Sequence, residues 1–108
     1  MKKFVIAAAS GAMLLISSQG MAANIEAGKK KADEVCAACH GPDGNSPAPA
    51  FPKLAGQHAS YLMKSLNEYK SGVRKDPIMA GMAAALSKED IEDVSAYYAS
   101  QSGLKTKY

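Results

Sequence analysis

The segment Cys36-Ala37-Ala38-Cys39-His40 decides how the rest of this 108-residue chain is interpreted. Two thiols three positions apart can add to the two vinyl groups of one porphyrin. The histidine that follows directly can bring an imidazole nitrogen to the iron. The pattern C-x-x-C-H is the attachment motif of a c-type haem. It therefore predicts one covalent haem, with Cys36 and Cys39 as attachment points and His40 as an iron ligand.

Three other interpretations of the motif stay open: a structural disulfide, a thioredoxin-like redox pair and half of a zinc site. A thioredoxin pair is expected between a strand and a helix, and no segment here has the pattern of a strand. A tetrahedral zinc site needs four ligands, whereas the chain has two cysteines and two histidines, of which His58 lacks zinc-finger spacing. A C-x-x-C disulfide closes a very small loop and leaves His40 unexplained. We therefore prefer the haem.

The first 22 residues have the pattern of a cleaved secretory signal peptide. Two lysines precede an apolar run, 4–16, which is shorter than the ~20 residues that a membrane-spanning helix needs. A small-x-small sequence places the predicted cleavage after Ala22, with Ala23 as the alternative; an uncleaved membrane anchor is the competing interpretation. Export predicts a periplasmic protein that is not stably inserted in a membrane after cleavage. The remaining residues, 23–108, are predicted to form one domain.

Size and charge limit the classes of function. Removal of 22 of the 108 residues leaves 86, and removal of the two leader lysines leaves 11 basic against 10 acidic residues. This near balance gives no basis for nucleic-acid binding. A domain of this size builds only a modest core of its own, so a buried porphyrin would supply much of the apolar contact.

Hydrophobic periodicity and capping residues predict helices over 24–38, 57–71 and 87–102, which together make an all-α fold. Glycine and proline punctuate 41–56 and predict a loop that wraps one side of the haem. Basic side chains near the second helix predict a solvated face: Lys64, Lys70, Arg74 and Lys75.

A second predicted loop, 76–82, contains Met79 and Met82. Pro77 predicts an extended approach to this loop, and Gly81 allows a turn within it. Either methionine could be core filler, but in a haem protein one of them is a candidate thioether ligand of the iron. His58 is a further candidate for that position, although a surface role is the preferred interpretation.

Four segments carry a family resemblance: the haem motif, Gly41-Pro42-Asp43-Gly44-Asn45, then Phe51-Pro52-Lys53-Leu54-Ala55-Gly56-Gln57, and finally Leu86-Ser87 opening a helix with Ala96-Tyr97-Tyr98. With them, the chain from Ile25 to Gln101 resembles a bacterial class I cytochrome c. It is most similar to the small periplasmic monohaem cytochromes and to one half of the dihaem c-four type. The resemblance implies an all-α fold of about three to four helices wrapped around one covalent haem.

The resemblance also implies roles for particular residues. Cys36 and Cys39 would hold the haem by thioethers, and His40 would be the proximal ligand. The Pro52 carbonyl would accept the hydrogen of the other ring nitrogen of His40. Met79 would be the distal ligand, with Met82 as the runner-up.

Gly28 lies inside the first predicted helix, where a glycine costs about 1 kcal/mol relative to alanine. This cost indicates that another helix crosses closely at that point. The resemblance places the crossing against the last helix, at Val94 and Tyr97.

The implied function is that of a soluble periplasmic single-electron carrier that is not an enzyme. Its expected partners are redox proteins such as cytochromes, reductases or terminal oxidases. Two alternatives are kept: a haem-bearing subunit of a larger respiratory complex, and a peroxidase or ligand-sensing haem protein, which would need an open distal site.

Overall fold

A computed structural model describes residues 22–107 of the chain. Within them the chain forms five helices and no strand: α1 Ile25–Val35, α2 Ala37–His40, α3 Ala59–Ser71, α4 Pro77–Ala84 and α5 Lys88–Ala99. The predicted all-α class is confirmed, but about three to four helices is too low a count, because α4 replaces a predicted loop and α2 is a separate turn. The predicted leader, 1–22, lies outside this description except for Ala22. No helix in 22–107 is long and apolar enough to cross a membrane.

The first predicted helix, 24–38, is divided at Cys36. Asn24 caps α1, since its side-chain oxygen accepts the Ala27 N–H at 3.0 Å. The helix ends at Val35, and the single turn of α2 then carries the chain to His40. The sequence predicts one continuous helix here because none of the residues around Cys36 is of a type that usually ends a helix.

The second predicted helix corresponds to α3, which begins at Ala59 rather than at Gln57. His58 occupies the N-cap position, and the helix ends at Ser71 as predicted. Gly72 follows in the left-handed conformation, with φ 83°, which stops the helix and starts the turn toward α4.

The predicted loop 76–82 is wrong, because most of this segment is the helix α4. Asp76 is its N-cap, and its Oδ1 accepts the N–H groups of Ile78 and Met79 at 3.0 Å each. Pro77 occupies the first helical position, where its missing N–H costs nothing and its fixed φ suits the helix. The turn expected at Gly81 is also wrong, since Gly81 lies within α4.

The last helix, α5, begins with a capping box in which the Ser87 side chain accepts the Asp90 N–H and the Asp90 carboxylate accepts the Ser87 N–H, both at 3.0 Å. It ends at Ala99, three residues before the predicted Ser102. Its buried side packs on α1 and α3, and the core cluster consists of Ala32, Leu62, Val94, Tyr97 and Tyr98.

The predicted close crossing at Gly28 is confirmed. A Cβ added there would lie 2.0 Å from the Asp93 carbonyl oxygen and 3.0 Å from the Tyr97 Cβ. The backbone of Asp93, rather than the predicted Val94, therefore forms the closest part of the contact. Only a residue without a Cβ allows α1 and α5 to approach this closely.

The segment 41–56 is a loop, as predicted, and α5 holds it in place. The Tyr98 hydroxyl donates to the Gly41 carbonyl at 3.3 Å, and the Gly56 N–H donates to the Tyr98 carbonyl at 3.0 Å. The two ends of the loop are thereby fixed to the same residue. This arrangement positions the loop against the haem motif.

Candidate cofactor site

A cavity of about 410 Å³ is enclosed by α3, α4, α5, the haem motif and the 41–56 loop. The motif residues Cys36, Cys39 and His40 form part of one wall, and Met79 and Met82 form part of another. The structure thus brings together every residue that the sequence analysis named as an attachment point or iron ligand, except His58. His58 is exposed and is not part of the cavity wall.

The rest of the cavity wall is mainly apolar. It contains aliphatic side chains from three helices and the loop, together with aromatic rings: Val35, Leu54, Leu62, Leu66, Val94, Phe51 and Tyr98. Apolar walls around a few polar groups are typical of a cofactor pocket. Phe51 and Leu54 are among the residues of the 41–56 loop that contribute apolar surface to this wall.

Both cysteines are free thiols and are half-buried. The structure therefore does not contain the disulfide alternative, although both thiols contribute to the same wall. Burial raises the pKa of Cys36 to about 11, and a hydrogen bond with Tyr98 offsets part of that effect. Cys36 is consequently a protonated thiol at neutral pH. Within residues 22–107, no group of three or more His, Cys, Asp or Glu side chains is arranged to bind a metal.

The orientation of the His40 ring is fixed by one hydrogen bond. Its Nδ1 lies 2.8 Å from the Pro52 carbonyl oxygen, and a carbonyl can only accept, so Nδ1 carries the hydrogen. Nε2 is then the nitrogen with a free lone pair, which is the form that binds a metal. His40 is 7% exposed, and Phe51 packs against its ring edge-on at 6.5 Å between centroids.

Met79 and Met82 lie three residues apart on α4, so they are neighbours on one face of the helix. Met79 is half-buried, whereas Met82 is 47% exposed. The backbone N–H of Met79 is bonded to the capping carboxylate of Asp76. Met79 is therefore the better held and the less solvated of the two thioethers.

Ser95 was not identified from the sequence. It is fully buried, it belongs to the cavity wall, and its hydroxyl has no hydrogen-bond partner within residues 22–107. Ser95 lies one helical turn after the buried Ile91, on the apolar side of α5. The only indication in the sequence was therefore a polar residue at a position where an apolar one is expected.

Arg74 was predicted to be on a solvated face, but it also contributes to the cavity wall, with Ser65 and Tyr69. Arg74 is exposed, as predicted, and its position at the border of the cavity is a feature that the sequence did not indicate. The other three basic residues of that predicted face are not in the wall.

The donor groups in the cavity fit a c-type haem. Two free thiols match the two vinyl groups of the haem. The His40 Nε2 and a thioether match the two ligands that the iron would need, and the apolar walls match the porphyrin faces. The same groups do not form a tetrahedral zinc site, because the two methionine sulfurs are not ligands that zinc prefers.

Residues 25–102 match the pattern of the cytochrome c family, and the chain belongs to that family. It is 52% identical over 80 residues to cytochrome c4 of Pseudomonas aeruginosa, and this alignment covers 74% of this chain and 39% of the relative. It is 51% identical over 69 residues to cytochrome c-554(548) of Halomonas halodenitrificans, which is 61% of this chain and 83% of the relative.

The fold is similar to the crystal structure of reduced recombinant cytochrome c4 from Pseudomonas stutzeri, with a TM-score of 0.71 and 50% identity over 77% of this chain and 48% of that one. The chain spans less than half the length of the cytochrome c4 relatives that it matches. The predicted family and the class I cytochrome c fold are confirmed. Membership implies covalent haem c, and the single C-x-x-C-H motif accommodates one haem.

Proposed function

We propose that this chain is a periplasmic single-electron carrier whose one haem is attached to Cys36 and Cys39 and bound through its iron by His40 and Met79. The observation that carries the proposal is the cavity that gathers all four side chains. When bound, the haem supplies an iron that alternates between Fe(II) and Fe(III). The contribution of the protein is to hold the ligands and to keep water away.

The hydrogen bond between His40 and Pro52 supports His40 as the proximal ligand. It directs Nε2 away from the loop, prevents rotation of the ring and increases its basicity. Pro52 itself lies in a loop whose two ends are fixed to Tyr98. Because both ends of this loop are fixed, we expect the imidazole to keep the same orientation in both oxidation states.

The capped start of α4 supports Met79 as the distal ligand. Met79 lies in the first turn of the helix, where the Asp76 carboxylate binds two N–H groups and Pro77 fixes one φ angle. A ligand on a rigid turn rearranges little when the charge of the iron changes. A thioether opposite an imidazole also raises the potential relative to two imidazoles.

Two protein ligands on the iron would leave no open position for a substrate, which supports an electron carrier rather than a peroxidase or a sensor. The identity to electron-transfer cytochromes of the c4 type supports the same function. Export to the periplasm rests on the leader pattern of residues 1–22.

The second candidate function is that of a haem-bearing unit that works beside another domain or subunit. It is supported by the length of the cytochrome c4 relatives, which is more than twice the length of the matched segment.

The experiment that tests the proposal is an absorption spectrum of the periplasmically matured protein in both oxidation states. We expect a low-spin haem c spectrum when reduced and, when oxidised, the weak long-wavelength band that marks a thioether on Fe(III). A high-spin oxidised spectrum that changes on addition of peroxide would instead indicate an open distal site and contradict the carrier function.

A further inference from the structure

Arg74 is held at the edge of the cavity by three contacts with α3. Its backbone N–H donates to the Glu68 carbonyl at 3.1 Å, and its side-chain Nη1 donates to the Ser65 hydroxyl at 3.2 Å. Its guanidinium lies over the Tyr69 ring, 4.8 Å from the centroid. Ser65 and Tyr69 are one helical turn apart and both contribute to the cavity wall, so the guanidinium lies on the cavity side of α3.

The charge of Arg74 has no carboxylate partner within residues 22–107. The four ion pairs there are made by lysines, and none involves an arginine. Asp76 is the one acidic residue of the cavity wall, and its Oδ1 already accepts two backbone N–H groups of α4. Of the five N–H donors of the guanidinium, only one has a side-chain partner.

We propose that Arg74 binds a propionate carboxylate of the haem. The proposal rests on the proposed function, because it requires the haem to occupy this cavity. Haem carries two propionates, which are its only anionic side groups, and the planar guanidinium fork matches a carboxylate in two parallel hydrogen bonds. Lys53 is the other cation of the cavity wall, but it is a single point charge on the loop and lacks the fixed orientation that Tyr69 and Ser65 give to Arg74.

The expected consequence is a higher midpoint potential. A propionate without a partner places a negative charge near the iron and favours Fe(III), whereas a paired propionate does so less. Loss of Arg74 should therefore lower the midpoint potential. Arg74→Lys keeps the charge without the fork and should fall between the unmodified protein and Arg74→Gln.

The direct test needs no variant. In the reduced, diamagnetic haem-loaded protein, at a temperature that slows exchange of the guanidinium hydrogens, we expect nuclear Overhauser effects between the guanidinium N–H protons of Arg74 and the methylene protons of one propionate. Their absence would overturn the proposal, whatever the potentials show. This measurement depends on the position of Arg74 and not on the identity of the distal ligand, so its failure is distinguishable from a failure of His40/Met79 coordination.

The variants provide the second test. Arg74→Gln, Arg74→Lys and the control Lys75→Gln are compared by redox titration at low ionic strength. Lys75 is exposed and lies outside the cavity wall, so its loss removes the same charge from the next position in the chain. A fall in potential for Arg74→Gln that exceeds the fall for Lys75→Gln supports the pairing, and equal falls for the two variants would overturn it.

Discussion

The Tyr97 hydroxyl donates a hydrogen bond to the Pro42 carbonyl at 2.6 Å, and this bond joins the last helix to the loop directly after the haem motif. Pro42 is two residues beyond His40, so the bond fixes the backbone just past the proximal ligand. The Tyr97 ring is buried in the same core cluster that packs α1 against α5. One side chain therefore connects the helix crossing to the position of the ligand.

We predict that Tyr97→Phe lowers the free energy of unfolding by about 0.5–1.5 kcal/mol, the usual net value of one hydrogen bond. Pro42 is exposed, so water can solvate its carbonyl and the larger cost of a buried unpaired acceptor does not apply. Urea unfolding of the haem-loaded protein measures the change. Tyr61→Phe is the control, since the Tyr61 side chain is 48% exposed and its hydroxyl makes no hydrogen bond within residues 22–107. An equal effect of the two substitutions would show that the bond to Pro42 contributes nothing.

The double substitution of Cys36 and Cys39 by alanine should abolish covalent attachment of the haem. Both thiols belong to the cavity wall and both are free, and the chain has no other cysteine that could form a thioether. A denaturing gel stained for haem peroxidase activity measures attachment. Tyr97→Phe serves as the control and should keep the stain. A stained band from the double variant would contradict covalent attachment through this motif.

The capping box of α5 predicts a specific dependence of stability on pH. The N–H of Ser87, which donates to the Asp90 carboxylate, lowers the pKa of that carboxyl from its usual 3.8 in the folded protein. A group with a lowered folded pKa contributes stability above its unfolded pKa and loses that contribution as the pH falls through the folded value. Asp90→Asn should therefore destabilise the protein at neutral pH and have progressively less effect below a pH of about 3.9.

Chemical unfolding at several pH values, from neutral to acid, measures this effect in the haem-loaded protein. Glu89→Gln is the matched control, because Glu89 is in the same first turn but makes no capping hydrogen bond. The destabilisation by Asp90→Asn should shrink as the pH falls more than that by Glu89→Gln. The role of the carboxylate charge would be refuted if the free energy of unfolding of Asp90→Asn differed from that of the unmodified protein by the same amount at neutral and at acid pH.

The sequence predicted the features that depend on local patterns. Gly28 indicated a helix crossing because a glycine inside a helix is costly, and Ser87 indicated a helix start because its side chain can cap the next turn. The segment 76–82 was predicted wrongly because Pro77 and Gly81 were interpreted as loop residues. In the structure Pro77 occupies the one helical position that suits it, and the Asp76 cap stabilises the turn that contains Met79.

The residues missed in the site depend on tertiary packing instead. Nothing local distinguishes Ser95 from another polar residue of α5, and its burial depends on how α5 packs against other parts of the chain. Arg74 was grouped with Lys75 by charge alone, yet Arg74 borders the cavity because Gly72 turns the chain back over Tyr69. The sequence pattern alone does not predict the direction in which that turn leads the chain.

The distal ligand can be assigned by two matched substitutions on α4. We predict that Met79→Ala removes the long-wavelength band of the oxidised protein and lowers its midpoint potential, whereas Met82→Ala leaves the band intact. The physical reason is that Met79 is half-buried on the capped first turn, whereas the Met82 side chain is 47% exposed. Loss of the thioether leaves water or another base on the iron, and either favours Fe(III) relative to a thioether.

Haem attachment should survive in both variants, because the two thiols and His40 are untouched, so a haem-stained gel provides the control for folding and maturation. Met79→Ala should also gain affinity for carbon monoxide and cyanide, since its sixth coordination position opens more easily, while Met82→Ala should not. Because the two residues lie on the same face of one helix, the reverse result would assign Met82 as the ligand. A band that survives both substitutions would place the ligand outside α4, and the rigid capped turn would then have no part in holding the iron.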